Sequence, residues 1–280
     1  MCVTKANVAT LWPIVPAAGV GSRFSPISRW IAKEMLPVGN LPAIDFVLQE
    51  LLAQPQLQQL TLVVNKRKTL LVDYVQQMVG SRQTRLVMQH QPLGLGHAVL
   101  QALPCALLQD ALLLVLLPDN IFVESSMLQL LLKAVDQIDN CCAAVVLVSA
   151  EDDRLSQYGV AALQQQIQQN LFVLSHIVEK PTSTQPPSNL VVMGRYLLSS
   201  CIVPYLADLP AGANGEIQLT DAINALIVAG KTVLGVKFDG QYFDVGYPSG
   251  WLQANNFFLQ DREQRICKIE KQVGQLNFSS

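Results

Sequence analysis

Short apolar runs rich in Val and Leu alternate, in the first half of the chain, with longer stretches whose apolar residues recur every three or four positions. The short runs predict strands at Trp12–Pro16, Gln59–Val64, Arg85–Gln89, Leu112–Leu117 and Cys142–Val148. The longer stretches predict helices at Ala43–Gln54, Lys68–Val79, Gly96–Leu103 and Ser126–Ile138. Because the strands are apolar throughout and helices separate them, we expect an α/β fold with a Rossmann-like, mostly parallel central sheet flanked by helices.

The pattern changes after Ala150, where strands follow one another with little helix between them. These strands are predicted at Tyr158–Leu163, Leu171–Val178 and Leu190–Leu198. They indicate a smaller, mixed or antiparallel extension of the sheet, in which Gln164–Gln169 is expected to form a solvated hairpin turn.

The last part of the chain returns to helix, strand and helix, at Glu216–Val228, Thr232–Phe238 and Pro248–Gln260. The charged segment Asp261–Gln272 is predicted to be a helix on the surface or facing a partner. We expect a single domain over residues 1–280, with one part at about 1–150, a second at about 151–247 and C-terminal helices at 248–280.

Composition excludes several classes of protein. Of 280 residues, 50% are hydrophobic and only 14% are charged, which excludes a disordered chain. The net charge of −2 provides no broad basic face, so we expect no nucleic-acid partner. Apolar runs such as Ala111–Leu117 are too short to cross a membrane.

The cysteines indicate a reducing compartment. The six cysteines show neither a C-x-x-C pair nor the spacing of a disulfide framework. The adjacent pair Cys141 and Cys142 opens an apolar strand and is expected to pack in the core. Together with the lack of a membrane-length run, this predicts a soluble cytoplasmic protein.

The stretch Ile14–Leu36 carries the strongest chemical signal. An apolar run ends in a loop with Gly19 and Gly21, and three cations follow at short intervals, Arg23, Arg29 and Lys33. Glycine permits positive φ angles, and the exposed backbone N–H groups of such a loop can bind an anion. With these cations the loop becomes a candidate cradle for a polyphosphate.

Alone, Gly19-x-Gly21 is also compatible with a tight strand-to-helix turn. A dinucleotide site would need a third glycine, where Phe24 stands, and an acidic residue after the second strand, where the chain reads Asn65-Lys66-Arg67. A nicotinamide-dependent oxidoreductase is therefore disfavoured.

Three separate stretches follow predicted strands directly, at Gly19–Arg23, Gln89–Gly94 and Asp119. Because ligands bind beyond the carboxyl ends of parallel strands, we expect these stretches to meet in one crevice. Asp119 follows the buried run L-L-V-L-L-P, and Asp244 repeats the arrangement in Y-F-D-V-G-Y. Two such carboxylates can share Mg²⁺ with substrate phosphates, although each could instead start a turn.

Glu179 and Lys180 end another predicted strand and could contact sugar hydroxyls and a phosphate, or form an ion pair at a rim. The three histidines lack the spacing of metal ligands, and we assign them no catalytic role.

Together these residues resemble the sugar-1-phosphate nucleotidylyltransferases, most closely their bacterial uridylyltransferase branch. Residues 19–37 are similar to the family signature G-x-G-T-R-x-x-P-x-T-K-x-x-P-K-E-M-L-P. Further similar segments follow in the family's order, at Gly94–Val99, Leu117–Asp119, Val178–Pro181, Gly194–Tyr196 and Glu216–Ile223. The resemblance covers nearly the whole chain.

The resemblance implies a nucleotide-diphospho-sugar transferase fold, with a nucleotide-binding first part and a sugar-phosphate-binding second part. It implies nucleotide contacts from Ala18, Gly19, Gly21, Ser22, Gln89 and Gly94, of which Gln89 and Gly94 would read uracil. Arg23 and Lys33 would act on the phosphates, and Asp119 and Asp244 would hold Mg²⁺. The sugar phosphate would lie against Tyr158, Gly159, Glu179, Lys180 and Gly194.

The implied reaction converts UTP and glucose 1-phosphate into UDP-glucose and pyrophosphate, in a dimeric or tetrameric homo-oligomer. The chain departs from the signature at Ser22, Ser28-Arg29 and Ala32, where the family has Thr, Thr-Lys and Pro. Its segment between Tyr74 and Arg85 is shorter than is usual in the uridylyltransferase branch. Two alternatives stay open: an enzyme that uses dTTP, and a catalytically weak paralogue that regulates a true uridylyltransferase.

Overall fold

The computed structural model describes residues 10–54, 59–103, 111–123, 127–138, 140–182, 185–210, 212 and 215–260. Its strands are β1 (Leu11–Pro16), β2 (Pro37–Val38), β3 (Leu41–Pro42), β4 (Leu60–Val64), β5 (Thr84–Met88), β6 (Leu112–Leu116), β7 (Asn120–Phe122), β8 (Cys141–Ser149), β9 (Gly159–Gln168), β10 (Leu171–Glu179), β11 (Leu190–Ser199), β12 (Thr232–Lys237) and β13 (Tyr242–Asp244). Its helices are α1 (Ala43–Leu52), α2 (Thr69–Val79), α3 (Leu95–Ala102), α4 (Met127–Gln137), α5 (Val203–Ala207), α6 (Leu219–Val228) and α7 (248–260).

Nine strands form one sheet in the order β5-β4-β1-β6-β11-β8-β12-β10-β9. Strands β5, β4, β1 and β6 pair in parallel, as do β8 and β12. Only β10 and β11 run opposite to the other seven strands, so the mostly parallel sheet predicted from the sequence is confirmed. Because Val160 of β9 also pairs with Val191 of β11, the antiparallel part curls back on itself.

Helices cover both faces of the sheet because successive side chains of the central strands point in opposite directions. Leu112, Leu114 and Leu116 of β6 pack on one face with α1, α2 and α4. Leu113 and Val115 pack on the other face with α3, α5 and α6. Full burial of such side chains contributes about 1.5–3 kcal/mol each. A third, smaller cluster packs α7 against β7 and β13.

Helix α6 begins at Leu219 and not at Glu216, as the pattern predicted. The reason is that the backbone of Ile217 is used elsewhere: its N–H donates to the carbonyl of Leu93 at 2.7 Å, and its carbonyl accepts from Gly96 N at 2.8 Å. A Cβ at position 96 would lie 2.9 Å from that carbonyl oxygen, so glycine permits this close approach.

The glutamine run was expected to form a hairpin turn, but residues 164–168 continue β9 and the turn falls at residues 169–170. These glutamines are mostly exposed because this end of β9 extends over solvent at the edge of the sheet.

Helix α7 was predicted at the residues where it is found, whereas Asp261–Gln272 lies outside the described residues. Cys141 and Cys142 are both buried, so their predicted role in packing is confirmed. Among the helices that the structure describes, none combines the length and the apolar character needed to cross a membrane.

Candidate active site

The three predicted strand-end stretches lie at one edge of the sheet, in a crevice with two adjoining cavities. The loop cavity, of about 370 Å³, is lined by the predicted residues Ala18, Gly19, Arg23, Lys33, Gln89, Gly94 and Asp119. The sheet cavity, of about 180 Å³, is lined by Arg23, Asp119, Tyr158, Gly159, Glu179, Gly194 and Asp244. Arg23 and Asp119 line both cavities and therefore stand at their boundary.

The remaining predicted residues, Gly21, Ser22 and Lys180, are not among those that line either cavity. Gly21 has the left-handed φ of 68°, and a Cβ there would lie 3.2 Å from the Cβ of Ser28. Gly21 therefore determines the backbone conformation of the loop without lining either cavity. By contrast, a Cβ at Gly19 would meet nothing within 4 Å, which leaves its backbone open to a ligand.

Lys33 pairs with Asp119, the carboxylate that follows β6. Burial alone would lower the pKa of Lys33, but the carboxylates of Asp119, Glu34 and Asp244 outweigh it and hold the pKa above its usual value. Burial would likewise raise the pKa of Asp119, but the charges of Lys33 and Arg23 and the Lys33 hydrogen bond hold it low. The crevice thus contains a charged pair at neutral pH.

A buried ion pair holds the short turn that carries Lys33. Glu34, the next residue, is fully buried and accepts a 2.5 Å hydrogen bond from the buried Lys68 at the start of α2. Because the cost of burying either charge alone is high, this pair fixes the turn Lys33–Met35 under the loop cavity.

Asp119 and Asp244 lie far apart in the sequence but meet through the small antiparallel ribbon of β7 and β13. In its register Asn120 pairs with Asp244, and Val245 N donates to the carbonyl of Asp119 at 2.8 Å. A Cβ placed on Gly246 would be 2.9 Å from a carboxylate oxygen of each aspartate. Both carboxylates therefore face one small volume that only a glycine at position 246 leaves clear.

Asp244 is oriented by two hydrogen bonds. The hydroxyl of Tyr158 donates to Oδ2 at 2.7 Å, and Gly246 N donates to Oδ1 at 2.9 Å. The same hydroxyl accepts from Nη2 of Arg154 at 2.5 Å. Burial and the neighbouring charge of Asp119 raise the pKa of Asp244, so a cation bound here would relieve the repulsion between the two carboxylates.

This donor set fits a hard divalent cation. Mg²⁺ is usually held by one or two carboxylates together with substrate phosphates, and the crevice offers two carboxylates. Within the described ranges, no cluster of three or more His, Cys, Asp or Glu side chains could hold a metal ion by itself. The residues present therefore suit an ion that is shared with a phosphate ligand.

The sheet cavity is lined by groups suited to a polyhydroxylated ligand. Glu179 is opposite Gly159 in the β9–β10 register and accepts a 3.0 Å hydrogen bond from Oγ1 of Thr220. Burial raises the pKa of the Glu179 carboxyl. Lys180 has a left-handed φ of 45° and is 51% exposed, and its ammonium lies 3.8 Å from Glu179. It thus occupies the rim.

Gly194 allows the closest approach in this cavity. Its φ is 55°, and a Cβ there would clash with the Asn120 side chain. Its carbonyl accepts from Leu117 N at 2.8 Å, which ties β11 to the segment that carries Asp119.

In the loop cavity, the buried Gln89 has its amide nitrogen held in two places. It donates to the carbonyl of Gly94 at 3.2 Å and lies 2.9 Å from Nδ1 of His97. The other face of the amide is its oxygen, an acceptor for a donor such as an imide N–H. No catalytic role was assigned to His97 from the sequence. The signal that was overlooked is the position of His97 one helical turn after Gly94, which brings both residues to the Gln89 amide.

Arg195 was also given no role, although it is the one charged residue in the apolar strand β11. It is 1% exposed, and Nε donates to Glu50 at 2.9 Å. Its other nitrogens donate to the carbonyls of Leu117 and Asn120 at 3.1 and 3.2 Å. Leu117 lies two residues before Asp119, and Asn120 lies one residue after it. Arg195 therefore stabilises the segment that carries this aspartate.

Several known proteins are similar to this chain in sequence and in structure. The sequence profile of the Nucleotidyl transferase family matches residues 12–261. A UTP–glucose-1-phosphate uridylyltransferase of Pseudomonas aeruginosa is 32% identical, over 89% of this chain and 95% of that protein. A solved UDP-glucose pyrophosphorylase complexed with UDP-glucose superposes with a TM-score of 0.80 at 28% identity, covering 91% of this chain and all of the other. A UTP-bound UGPase from Acinetobacter baumannii superposes with a TM-score of 0.76 at 30% identity, covering 96% and 100%.

Proposed function

Because this chain belongs to the nucleotidyl transferase family, we propose that it is an enzyme that makes UDP-glucose and pyrophosphate from UTP and glucose 1-phosphate. The observation that carries the proposal is that Arg23 and Asp119 stand between a larger cavity, which Lys33 also lines, and a smaller one, which Asp244 also lines. The two cavities match a nucleotide and a sugar phosphate in relative size.

We assign the loop cavity to UTP. Gly19 offers an open backbone to the phosphates, and the amide oxygen of Gln89 suits the N3–H of uracil. We assign the sheet cavity to glucose 1-phosphate, with Glu179 accepting from sugar hydroxyls and Lys180 at the rim next to the phosphate.

We further propose Mg²⁺ as the divalent cation, held by Asp119 and Asp244. When bound, it would neutralise phosphate charge and bring the two anionic substrates together. Lys33 pairs with Asp119, so its ammonium lies beside the proposed cation site and the phosphates that the cation would bind.

In the proposed reaction an oxygen of the sugar phosphate attacks the α-phosphorus of UTP. A new P–O bond forms as the bond between the α-phosphorus and the bridging oxygen breaks, and pyrophosphate leaves with that electron pair. Arg23 and Lys33 stabilise the charge that develops on the leaving group and the transition state. This transfer needs positioning and charge neutralisation, and no protein nucleophile takes part.

The test is pyrophosphate release by the purified protein with glucose 1-phosphate and Mg²⁺, comparing UTP with dTTP. We expect strong release with UTP and weak release with dTTP. Equal release would replace the proposal with a relaxed nucleotidyltransferase, since one methyl group gives only modest discrimination. No release from folded protein that binds UTP would replace it with the regulatory paralogue.

A further inference from the structure

The guanidinium of Arg23 lies on the ring of Tyr247, with Cζ 3.9 Å from the ring centroid. Tyr247 stands three residues after Asp244, at the start of α7, and lines the sheet cavity. A cation over an aromatic face at this distance is attracted to the ring, by about 0.5–2 kcal/mol according to its exposure. The contact joins the glycine loop to the other side of the crevice.

Little else fixes this arginine side chain. Among the described residues, Arg23 forms neither an ion pair nor a side-chain hydrogen bond within the usual distances. This separates it from Lys33, which is held by Asp119. The Tyr247 ring therefore makes the direct contact that positions the guanidinium, which the charge of Asp119 also attracts.

Phe24, the next residue in the loop, packs against the same helical turn, residues 247–251. Phe24 packs edge-on against Trp251, with ring centroids 6.5 Å apart. Trp251 N donates to the carbonyl of Tyr247 at 2.9 Å, and its indole N–H donates to the carbonyl of Pro37 at 2.8 Å. The consecutive loop residues Arg23 and Phe24 thus contact Tyr247 and Trp251, which belong to one turn and form a platform for the loop. The hydrogen bond from the Trp251 indole to Pro37 holds this platform in place.

The platform also reaches the proposed metal carboxylate. The ring of Tyr247 lies edge-on to that of Tyr158, with centroids 6.4 Å apart. The Tyr158 hydroxyl donates to Asp244. A continuous row of contacts therefore runs from Arg23, at the boundary of the two cavities, through two tyrosine rings to Asp244 in the sheet cavity.

From this arrangement we propose that Tyr247 is a positioning residue, whose ring holds the Arg23 guanidinium at the cavity boundary where the reacting phosphates meet. The inference rests on the proposed nucleotidyl transfer and adds to it a side chain that touches no reacting atom. A preset cation does not have to be ordered during the reaction, so Tyr247 contributes to turnover through Arg23.

The experiment compares Tyr247→Leu, which removes the ring, with Tyr247→Phe, which keeps it. We expect Tyr247→Leu to lower kcat/KM for UTP about tenfold, mainly through kcat, and Tyr247→Phe to stay within about twofold of the unmodified protein. Tyr205→Leu removes a ring in α5, which lines neither cavity, and controls for general loss of packing. Thermal unfolding of each variant checks that it folds.

The decisive measurement is a double-mutant cycle in kcat/KM that combines Tyr247→Leu with Arg23→Gln. If the ring acts through Arg23, adding Tyr247→Leu to Arg23→Gln should cost less than about twofold more. An equally large loss in both backgrounds, or a Tyr247→Leu protein within twofold of the unmodified one, would overturn the inference. An unmodified protein that makes no nucleotide sugar would instead defeat the proposed function, so the two failures are distinguishable.

Discussion

The two cavities of the crevice are constructed by different means. The loop cavity is formed by turns that follow parallel strands, where backbone groups of Gly19 and Gly94 and the side chain of Gln89 converge. The sheet cavity is formed by residues within antiparallel strands, such as Gly159, Glu179 and Gly194. In the loop cavity, the order of the parallel strands brings the residues together. In the sheet cavity, the pairing register of the antiparallel strands brings them together.

The difference fits the ligands that we assign. A polyphosphate is recognised by backbone N–H groups and cations, which strand-end turns provide at one edge of a sheet. A sugar is recognised by side chains that match its hydroxyls, and cross-strand register fixes which of them are neighbours. Strand β11 lies between the parallel and the antiparallel parts of the sheet, and its Arg195 connects it to the parallel part through Glu50 of α1 and the carbonyl of Leu117 after β6.

The largest effect is expected from breaking this connection with Arg195→Met. The variant leaves the Glu50 carboxylate buried without its partner, so the free energy of unfolding should fall by about 3–5 kcal/mol. Urea denaturation measures it. Replacing both residues by Met removes both charges and should recover part of the loss. A single variant within about 1 kcal/mol of the unmodified protein would show that the Arg195–Glu50 pair does not stabilise the connection of β11 to the parallel part.

Asp119→Asn tests the boundary between the cavities. It removes the proposed metal carboxylate that also pairs with Lys33, and kcat/KM should fall about 10²- to 10³-fold. Pyrophosphate release over a range of Mg²⁺ concentrations measures the loss. Asp239→Asn, at an exposed carboxylate paired with Lys237, is the control and should change little. Near-normal turnover of Asp119→Asn would contradict the assignment of this aspartate.

The contrast between the halves also explains what the sequence could predict. Strands such as Leu112–Leu116 are buried on both faces, so their apolar runs identified them, and the parallel-sheet rule then located the crevice edge. Asp119 and Gln89 were found because they follow such strands. Local patterns in the glycine loop and at strand ends also indicated Gly19, Gly21, Arg23, Lys33, Asp244, Glu179 and Lys180. The resemblance to the family supplied the rest of the candidate residues, Ala18, Ser22, Tyr158, Gly159 and Gly194.

Features that depend on register or on tertiary contacts could not be found in this way. The three-residue strands β7 and β13 are too short to leave a pattern, yet they bring Asp119 and Asp244 together. Tyr247 and Glu50 act through partners far away in the sequence. Ile217 was predicted as helical because its local pattern cannot show that its backbone pairs with Leu93.

Within the sheet cavity, Glu179→Gln should separate binding from stability. The KM for glucose 1-phosphate should rise about tenfold, because an amide replaces the carboxylate that we assign as the acceptor for sugar hydroxyls. The pKa of Glu179 is raised in the folded protein, so its burial costs stability once the pH passes that value, and the cost is absent below the ordinary pKa. Relative to the unmodified protein, the Tm of the variant should therefore be higher at pH 8 than at pH 4.

Steady-state kinetics and thermal unfolding at both pH values measure these effects. Glu151→Gln, at an exposed carboxylate, is the matched control and should change neither. If Glu179→Gln left the KM for glucose 1-phosphate unchanged, Glu179 would not be part of the sugar site. If its relative Tm fell from pH 4 to pH 8, burial would not be what destabilises the charged carboxyl.

The smallest effect is expected in the loop cavity, from His97→Leu. His97 and the carbonyl of Gly94 hold the amide nitrogen of Gln89. In the proposed site this arrangement would leave the amide oxygen to accept from the N3–H of uracil. Cytosine has an acceptor at that position and is disfavoured. Loss of one neutral hydrogen bond loosens the amide, so the preference for UTP over CTP in kcat/KM should fall about two- to tenfold. His176→Leu, on the exposed side of β10, should keep the preference unchanged. An unchanged preference in His97→Leu would mean that the Gly94 carbonyl is sufficient to orient the Gln89 amide, and that His97 contributes nothing to base recognition in the loop cavity.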